Sequence, residues 1–325
     1  MTTPAIVGTG FAVPANIRTN DDPIFDWLKK HNPHGMDLFK GYKYRRVLSR
    51  EENLDTIMVP AALRAMEHAK IGPADVDLLI GYGSVSPYET PNELARLHQI
   101  LGLDPRVWVL PLNNEFSNFN AALWLCDGLV RTGRIKTALL VIGGNWTHYV
   151  DYHTPQAVSA SDGAAAAVMR STEEKGRFHV VDSETCTDSS YFGTMYMAGD
   201  PVRAEGRDLF TGSTFHITDA GQAAFQQFGV NEPPKAALRL LARNGLTGAD
   251  VTLISHQASS VLLDAWGQAI APAQYPNTLE EFGNMAIANI PVTLACFADR
   301  IEKDHLVLLG IGSEMHTNAL LLRRG

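Results

Sequence analysis

The chain contains few cysteines, three among 325 residues. Cys126, Cys186 and Cys296 are too far apart for a metal-binding motif and too few for a disulfide framework. Disulfides stabilise many secreted proteins, whereas cytoplasmic proteins keep their thiols reduced. We therefore interpret the three residues as reduced thiols of a cytoplasmic protein.

Long apolar segments and an excess of basic residues are also lacking. No run approaches the length of a membrane-spanning helix, and the opening MTTPAIVGTGFAVP has neither the positive start nor the leucine-rich core of a signal peptide. The formal net charge is -8, which does not favour binding to nucleic acid or to an anionic membrane. With 45% hydrophobic residues, the composition is typical of a soluble globular protein.

The glycine pairs in GTG (8–10) and GIG (310–312) do not form a dinucleotide-binding fingerprint, because the third glycine and the acidic residue are lacking. We therefore expect no nicotinamide cofactor. We also expect no metal, because no group of potential ligands has a spacing that defines a site.

An internal repeat is the most informative feature that is present. AALRAMEHAKIGPADVDLL (61–79) aligns without gaps on AALRLLARNGLTGADVTLI (236–254), an offset of 175. TALLVIGGN (137–145) resembles LVLLGIGSE (306–314), an offset of 169. Both copies of the first pair indicate an amphipathic helix, a turn and a buried strand, and the second pair, a strand block, follows in the same order.

The repeat predicts two similar α/β halves, residues 1–170 and 171–325, packed around a pseudo-twofold axis. Their strands are continuous apolar runs, which is typical of sheets that are covered on both faces.

The stretch NNEFSNFNAALWL (113–125) indicates a strand end, a polar turn and a buried helix. This elbow presents Glu115, Phe116 and Ser117. The offset of 169 places these residues opposite 284–286, so the helices that begin near 117 and 286 are predicted to be equivalent, with N-termini that meet near the middle of the molecule. Free N–H groups at a helix N-terminus suit a developing oxyanion.

Two polar residues of the second half occupy positions that favour chemistry. The strand VTLI leads into SHQASS, which places His256 at the carboxyl end of a strand, where α/β folds carry their sites. EEFGNMAIAN places Asn284 after a glycine at the mouth of a central helix. A lone histidine is more often structural, but its position facing Asn284 favours a catalytic role.

Taken together, these segments resemble the β-ketoacyl-acyl-carrier-protein synthase III family. The resemblance rests on His-Gln-Ala after a strand, Gly-Asn opening a helix, SDGAAAAVM, DSSYFG and the Gly-x-Gly near the end, and extends to GTGFAVPANIRTN and GYKYRRVLS. It implies the thiolase fold, an α/β architecture of five layers, α-β-α-β-α, built from two pseudo-twofold-related halves.

The family's active site is a Cys-His-Asn triad, and His256 and Asn284 match its last two members. The cysteine lies in a Cys-Ser-Gly-Phe elbow. Ungapped alignment places Phe116 at the cysteine and Asn118 at the glycine. The resemblance therefore implies a variant that lacks the nucleophilic cysteine.

Ser117 and Glu115 are the candidates to replace the missing thiol. Ser117 is one residue further on, at a position that is commonly small and without a catalytic role in the family, and we favour that interpretation. Burial could raise the pKa of Glu115 enough for a general base, but the residue could equally cap the elbow or face a partner chain. Cys126 lies further along the helix and is expected in the core.

The resemblance also implies a substrate pocket. We expect the backbone N–H groups of Phe116 and Gly312 to support an oxyanion. His216 is expected either to contact substrate or to cap a helix, and His316 to line the pocket floor.

The resemblance implies an acyltransferase or condensing enzyme that acts on acyl or malonyl thioesters in fatty-acid-like or secondary-metabolite biosynthesis. The thioester would be carried on coenzyme A or on the phosphopantetheine of an acyl carrier protein, with no other cofactor. Without an acyl-enzyme, three readings stay open: direct transfer, decarboxylation of a malonyl thioester, or a silent subunit paired with a cysteine-bearing sister. A homodimer through WVLPLN (108–113) is the default.

Overall fold

The computed structural model describes residues 3–32, 35, 37–88, 90–198 and 214–325. Its strands are β1 (Thr3–Ala12), β2 (Ile17–Thr19), β3 (Tyr44–Arg46), β4 (Leu78–Ser84), β5 (Trp108–Pro111), β6 (Thr137–Gly144), β7 (Gly163–Thr172), β8 (Phe178–Thr187), β9 (Met195–Ala198), β10 (Thr214–Ile217), β11 (Val251–Ser255), β12 (His305–Ile311) and β13 (His316–Arg324).

The α-helices in the described residues are α1 (Asp26–Lys30), α2 (Asp55–Ala69), α3 (Glu93–Ile100), α4 (Asn118–Arg131), α5 (Asp219–Ala224), α6 (Val230–Arg243), α7 (Ser260–Ile270), α8 (Leu279–Phe282) and α9 (Asn289–Phe297). A π-helical turn, Phe225–Gly229, joins α5 to α6.

The main sheet has the strand order β11-β12-β13-β8-β1-β7-β6-β4-β5. In the first half β4, β5 and β6 are parallel while β7 and β1 run antiparallel, and in the second half β11 and β12 are parallel while β13 and β8 run antiparallel. The two groups of strands are joined by one residue pair, Ile6 with Phe178. The boundary predicted at residue 170 falls two residues before the end of β7.

The repeated helix-strand unit folds in the same way in both halves. A one-turn 3-10 helix leads from α2 towards β4 (Pro73–Asp75) and another leads from α6 to β11 (Gly248–Asp250). In each turn an aspartate carboxylate accepts a hydrogen bond from the backbone N–H three residues earlier, at 2.8 Å. The shared Ala-Asp-Val sequence therefore encodes a shared cap.

The core is arranged in layers around α4 and α9. Buried side chains of α4, including Phe119, Leu123 and Cys126, pack in one cluster with strand residues of both halves and with α9. Helices α2 and α3 cover the outer face of the first half, and α6 and α7 cover that of the second. The central helices therefore lie between the two groups of strands.

Among the described residues, no helix is both long and apolar enough to cross a membrane.

Candidate active site at the mouths of the two central helices

Each central helix is preceded by a single 3-10 turn, Glu115–Ser117 before α4 and Ala286–Ala288 before α9. The first residue of each turn has a positive φ, 47° at Glu115 and 50° at Ala286. Residues other than glycine rarely adopt this left-handed backbone conformation. The two mouths therefore share one unusual backbone path.

The first helical residue completes this correspondence. Asn118 opens α4 and Asn289 opens α9, and both are fully buried. The side-chain oxygen of Asn118 accepts from the Asn114 N–H, and that of Asn289 accepts from the Met285 N–H at 2.8 Å. Each asparagine therefore holds the turn that precedes its helix.

These matches correct the predicted register at the elbow. Glu115, Phe116 and Ser117 lie opposite Ala286–Ala288, an offset of 171, and not opposite residues 284–286. The offset of 169 applies to the strands that follow. Counted to the strand residues that the offset of 169 pairs, 137 and 306, the segment after the helix start is two residues shorter in the second half, 289–306 against 118–137.

His256 lies directly after β11, as predicted, and its N–H donates to the Leu309 carbonyl of β12 at 2.9 Å. The residue is only 1% exposed. Burial lowers the pKa of His256 to about 3, although the carbonyl of Ala286 opposes this shift. The imidazole is therefore neutral at pH 7.

Asn284 follows Gly283, whose φ of 67° favours glycine. Its carbonyl accepts from the Trp146 indole N–H at 2.7 Å and from the Ser161 N–H at 3.0 Å. Its side-chain oxygen accepts from the Ala286 N–H at 2.9 Å. The backbone around Asn284 is therefore fixed by the first half of the chain. Sequence reasoning missed Trp146, since its sequence context gives no sign of a partner so distant in the chain.

Asn289 brings His256 and Asn284 together. Its amide nitrogen lies 3.3 Å from His256 Nδ1 and 2.7 Å from the Asn284 side-chain oxygen. Sequence reasoning missed this residue. One signal was available in the sequence, because Asn289 opens the mostly apolar helix NIPVTLACF. A buried amide needs hydrogen-bond partners, so an asparagine at that position indicates a polar contact.

Phe116 covers the imidazole. The two rings are stacked, with centroids 4.8 Å apart and an angle of 9° between their planes. Phe116 itself is partly buried and packs against the central cluster. A ligand can reach the covered face of His256 only if the phenyl ring moves.

Ser117 lies in a packed position. It is fully buried, and its hydroxyl has no hydrogen-bond partner among the described residues. A Cβ built on Gly310 of β12 would lie 2.5 Å from the Ser117 hydroxyl oxygen. A nucleophilic serine needs a base within hydrogen-bond reach. The structure therefore gives Ser117 a packing position and not that of a nucleophile.

Glu115 is part of a polar cluster with the loop between β12 and β13. Its carboxylate accepts from the N–H and hydroxyl of Ser313. Burial, together with a hydrogen bond to Glu314, raises the pKa of Glu115 to about 7. The hydrogen bond from His316, at 2.6 Å, lowers the pKa of Glu314 to about 2. One proton is therefore held on Glu115 within a pair of carboxyl groups.

Two surface depressions of about 400 Å³ each lie elsewhere in the described residues. Neither is lined by His256, Asn284 or Phe116. His256 itself is 1% exposed beneath the Phe116 ring, so the imidazole is shielded from solvent in this conformation.

Two family models match the chain. The model described as 3-oxoacyl-[acyl-carrier-protein (ACP)] synthase III matches residues 111–189, and the model of its C-terminal domain matches residues 241–324. The first match contains the elbow and the second contains His256 and Asn284. The chain belongs to the 3-oxoacyl-acyl-carrier-protein synthase III family.

Known relatives match over nearly the whole chain. The β-ketoacyl-[acyl-carrier-protein] synthase III of Chelativorans sp. (strain BNC1) is 26% identical and covers 97% of this chain and 98% of its own length. The crystal structure of the synthase III of Pseudomonas aeruginosa PAO1 has a TM-score of 0.83, 23% identity and coverage of 99% and 98%. Cerulenin-bound OleA of Xanthomonas campestris has a TM-score of 0.85, 19% identity and coverage of 99% and 97%. These likenesses confirm the thiolase fold.

The predicted oxyanion donor at Gly312 is contradicted by the structure of this synthase III-like chain. The Gly312 N–H donates to the His316 carbonyl at 2.9 Å, so it is occupied within the turn. The N–H that follows, on Ser313, is occupied by Glu115. The Phe116 N–H lies in the first turn of the elbow, where N–H groups have no partner within the helix.

His316 is buried, as expected of a residue near the site, and it lines neither of the two surface depressions. Its ring fills the space beside Gly312, where an added Cβ would lie 2.0 Å from the ring. Its Nδ1 is paired with Glu314. His316 therefore positions the carboxyl pair, and its place on a pocket floor stays a prediction.

His216 lies on the surface and does not cap a helix, while its contact with substrate stays a prediction. It is exposed on β10, where its ring stacks on Tyr196 at 5.0 Å and contacts the Thr214 hydroxyl at 2.9 Å. The cap of α5 is supplied by Thr218, whose hydroxyl accepts from the Gly221 N–H. Cys126, as predicted, is fully buried in the central cluster.

Proposed function

We propose that this chain is a synthase III-like acyltransferase or condensing enzyme that acts on an acyl or malonyl thioester without a cysteine acyl-enzyme. It belongs to a family of acyl-transferring condensing enzymes. The observation that carries the proposal is the coupled placement of His256 and Asn284 beside the elbow. The donor would be carried on coenzyme A or on an acyl carrier protein.

The two groups suit the charge that such reactions develop. Decarboxylation of a malonyl thioester breaks the bond to the carboxylate, releases carbon dioxide and leaves an enolate. His256 and Asn284 would donate hydrogen bonds to the enolate oxygen. Each such donor is typically worth about 3 kcal/mol to the transition state. Because the imidazole is neutral, it would donate without adding a formal charge.

The second step follows directly. The enolate carbon attacks the carbonyl carbon of the acyl thioester, the carbon–sulfur bond breaks, and the thiolate leaves. In transfer to an alcohol or amine, the acceptor's lone pair attacks instead, and its proton must reach the departing sulfur.

Glu115 is the proposed carrier of that proton. It lies next to Phe116 in the chain, and its pKa of about 7 is close to an ordinary working pH. The protonated form would give its proton to the thiolate, and Glu115 would regain a proton from the acceptor's O–H or N–H group or, after condensation, from solvent. We propose Phe116 as a gate, because its ring covers the imidazole.

The same stacking favours a second candidate, a catalytically silent subunit of a heterodimer. A histidine that is 1% exposed under a phenyl ring is protected from substrate. In that case a cysteine-bearing sister would supply the nucleophile.

Strand β5 is the proposed dimer contact in either case. It lies at the edge of the main sheet, and its Trp108 is 54% exposed. An edge strand offers unpaired backbone groups to a second chain.

A direct test incubates the protein with malonyl-CoA and acetyl-CoA and with the same groups on a carrier protein. Mass spectrometry then follows carbon dioxide loss, acyl transfer and any covalent adduct. We expect His256→Ala and Asn284→Ala each to lower turnover by roughly 100-fold or more. His31→Ala is the control, because His31 is exposed and its ring stacks on Trp27, outside the elbow.

Phe116→Cys separates the two candidates. If the pocket binds acyl thioesters, the new thiol should gain an acyl group that mass spectrometry detects. Wild-type protein that is inert alone, a Phe116→Cys variant that gains no acyl group, and activity that arises only on mixing with a cysteine-bearing family member would together support the silent subunit.

A further inference from the structure

Asn289 lies at the centre of the candidate site, although sequence reasoning assigned it no role. It is fully buried. Its side-chain oxygen accepts from the Met285 N–H at 2.8 Å. A backbone N–H can only donate, so this contact fixes which end of the amide is oxygen. The nitrogen end of Asn289 must therefore face His256 and Asn284.

This orientation determines where the imidazole carries its proton. The Asn289 nitrogen lies 3.3 Å from His256 Nδ1. An amide nitrogen only donates; one of its hydrogens serves the Asn284 oxygen and the other is shared by Nδ1 and the Gln257 carbonyl, which lies 3.4 Å away, so Nδ1 accepts in this contact. The proton of the neutral ring is then on Nε2, where the Ala286 carbonyl competes with a ligand oxygen for it.

The same nitrogen also orients Asn284. It donates to the Asn284 side-chain oxygen at 2.7 Å, and the Ala286 N–H donates to that oxygen at 2.9 Å. With the oxygen so occupied, the NH2 group of Asn284 remains free to donate.

We propose that Asn289 is a positioning residue that presets His256 and Asn284 as two hydrogen-bond donors for one ligand oxygen. The identity of that oxygen as a thioester carbonyl or enolate rests on the proposed function. The presetting itself rests on the contacts of Asn289 alone.

The first half of the chain supplies a matched comparison. Asn118 makes the same contact with its own turn, but its amide nitrogen has no partner among the described residues. Asn118 thus holds its own turn as Asn289 does, but it orients no other side chain among the described residues. The variants Asn289→Ala and Asn118→Ala differ in that respect.

The first readout is the histidine tautomer, which does not depend on activity. Protein labelled with 15N-histidine is examined by long-range 1H–15N NMR, and the His256 signals among the 11 histidines are assigned by their loss in His256→Gln. Wild type should carry the ring proton on Nε2. Asn289→Asp places an acceptor against Nδ1, so Nδ1 should gain a proton. Asn118→Ala should leave the His256 signals unchanged.

The second readout is kinetic. Asn289→Asp and Asn289→Ala should lower kcat on the order of 100-fold with a smaller change in KM, because a misdirected donor chiefly weakens transition-state binding. Asn118→Ala should lower kcat much less, because Asn118 contacts its own turn and its amide nitrogen has no partner among the described residues. Thermal unfolding shows whether each variant is folded, and the aspartate variant preserves the side-chain volume if alanine does not fold.

Three outcomes would overturn the proposal, and a fourth would separate it from the proposed function. A wild-type ring protonated on Nδ1 overturns the proposal, as does an Asn289→Asp variant with the wild-type tautomer. Equal loss of kcat in the two alanine variants also overturns it, since both would then act only through folding. A tautomer that responds as expected in a protein inert towards every thioester supports the presetting and rejects the proposed function.

Discussion

The mouths of α4 and α9 have the same backbone and different side chains. Both have a 3-10 turn with a positive φ at its first residue, and both are held by a buried asparagine. At the mouth of α9 that asparagine contacts His256. At the mouth of α4 its amide nitrogen is unpaired within the described residues.

The difference originates on the neighbouring strands. Leu78 pairs with Ala138 in the first half, and Leu253 pairs with Val307 in the second, so Leu78 and Leu253 are equivalent residues. Three residues further along each strand, Gly81 is therefore the counterpart of His256. A glycine offers nothing for Asn118 to contact. The comparison teaches that one scaffold supplies two helix mouths, and that a strand residue decides which of them holds a polar site.

The largest expected effect comes from Gly81→Ala. Gly81 has a φ of 139°, and an added Cβ would lie 2.0 Å from the Val141 carbonyl oxygen. Backbone atoms cannot move aside cheaply, so we expect a loss of about 3 kcal/mol or more in the free energy of unfolding. Urea denaturation measures it.

Gly102→Ala is the matched control for the backbone term. Gly102 also has a positive φ, 63°, but its added Cβ meets nothing within 4 Å. Its cost should be only about 1 kcal/mol. Equal costs at the two sites would mean that the close approach at Gly81 has no energetic weight, and that a side chain could be accommodated there.

The sequence was sufficient to predict the N-termini of the two central helices, but not the side-chain contacts that are made there. The repeat and the position of His256 follow from periodicity and turn residues, which are local signals. The predicted alignment of the two elbows was wrong by two residues. It was taken from the strand repeat, which does not reveal that the segment between helix and strand is shorter in the second half. The contacts of Asn289 with His256 and of Glu115 with Ser313 join residues more than 30 apart in the chain. Only the folded arrangement reveals them.

The next effect concerns Glu115, whose counterpart is Ala286. Its pKa is near 7 in the folded chain against about 4.5 in the unfolded chain. The stability contributed by the protonated form is therefore fully present below pH 4.5 and is lost as pH rises through 7. Glu314, with its pKa lowered to about 2, titrates below this range.

Glu115→Gln mimics the protonated form at every pH. Between pH 5.5 and 8.5 the variant should gain about 2 kcal/mol over wild type, from roughly 1.4 kcal/mol per pKa unit. Urea denaturation at the two pH values measures the gain. Glu232→Gln, which removes a surface pairing with Lys235 at 2.6 Å, should follow the wild-type pH profile. A Glu115→Gln curve parallel to wild type would mean that Glu115 is ionised in the fold.

The smallest effect concerns Ser117, whose counterpart is Ala288. The Ser117 hydroxyl is buried without a partner among the described residues, and such a group costs about 1 kcal/mol or more. Ser117→Ala should therefore leave the free energy of unfolding unchanged or raise it by up to about 1 kcal/mol. Ser159→Ala is the contrast, because the buried Ser159 hydroxyl donates to the Gln156 carbonyl at 2.8 Å, and its loss should lower stability by about 1 kcal/mol. A destabilised Ser117→Ala, or an acyl adduct on wild-type Ser117 that the variant abolishes, would show that the two mouths differ in chemistry at this position as well.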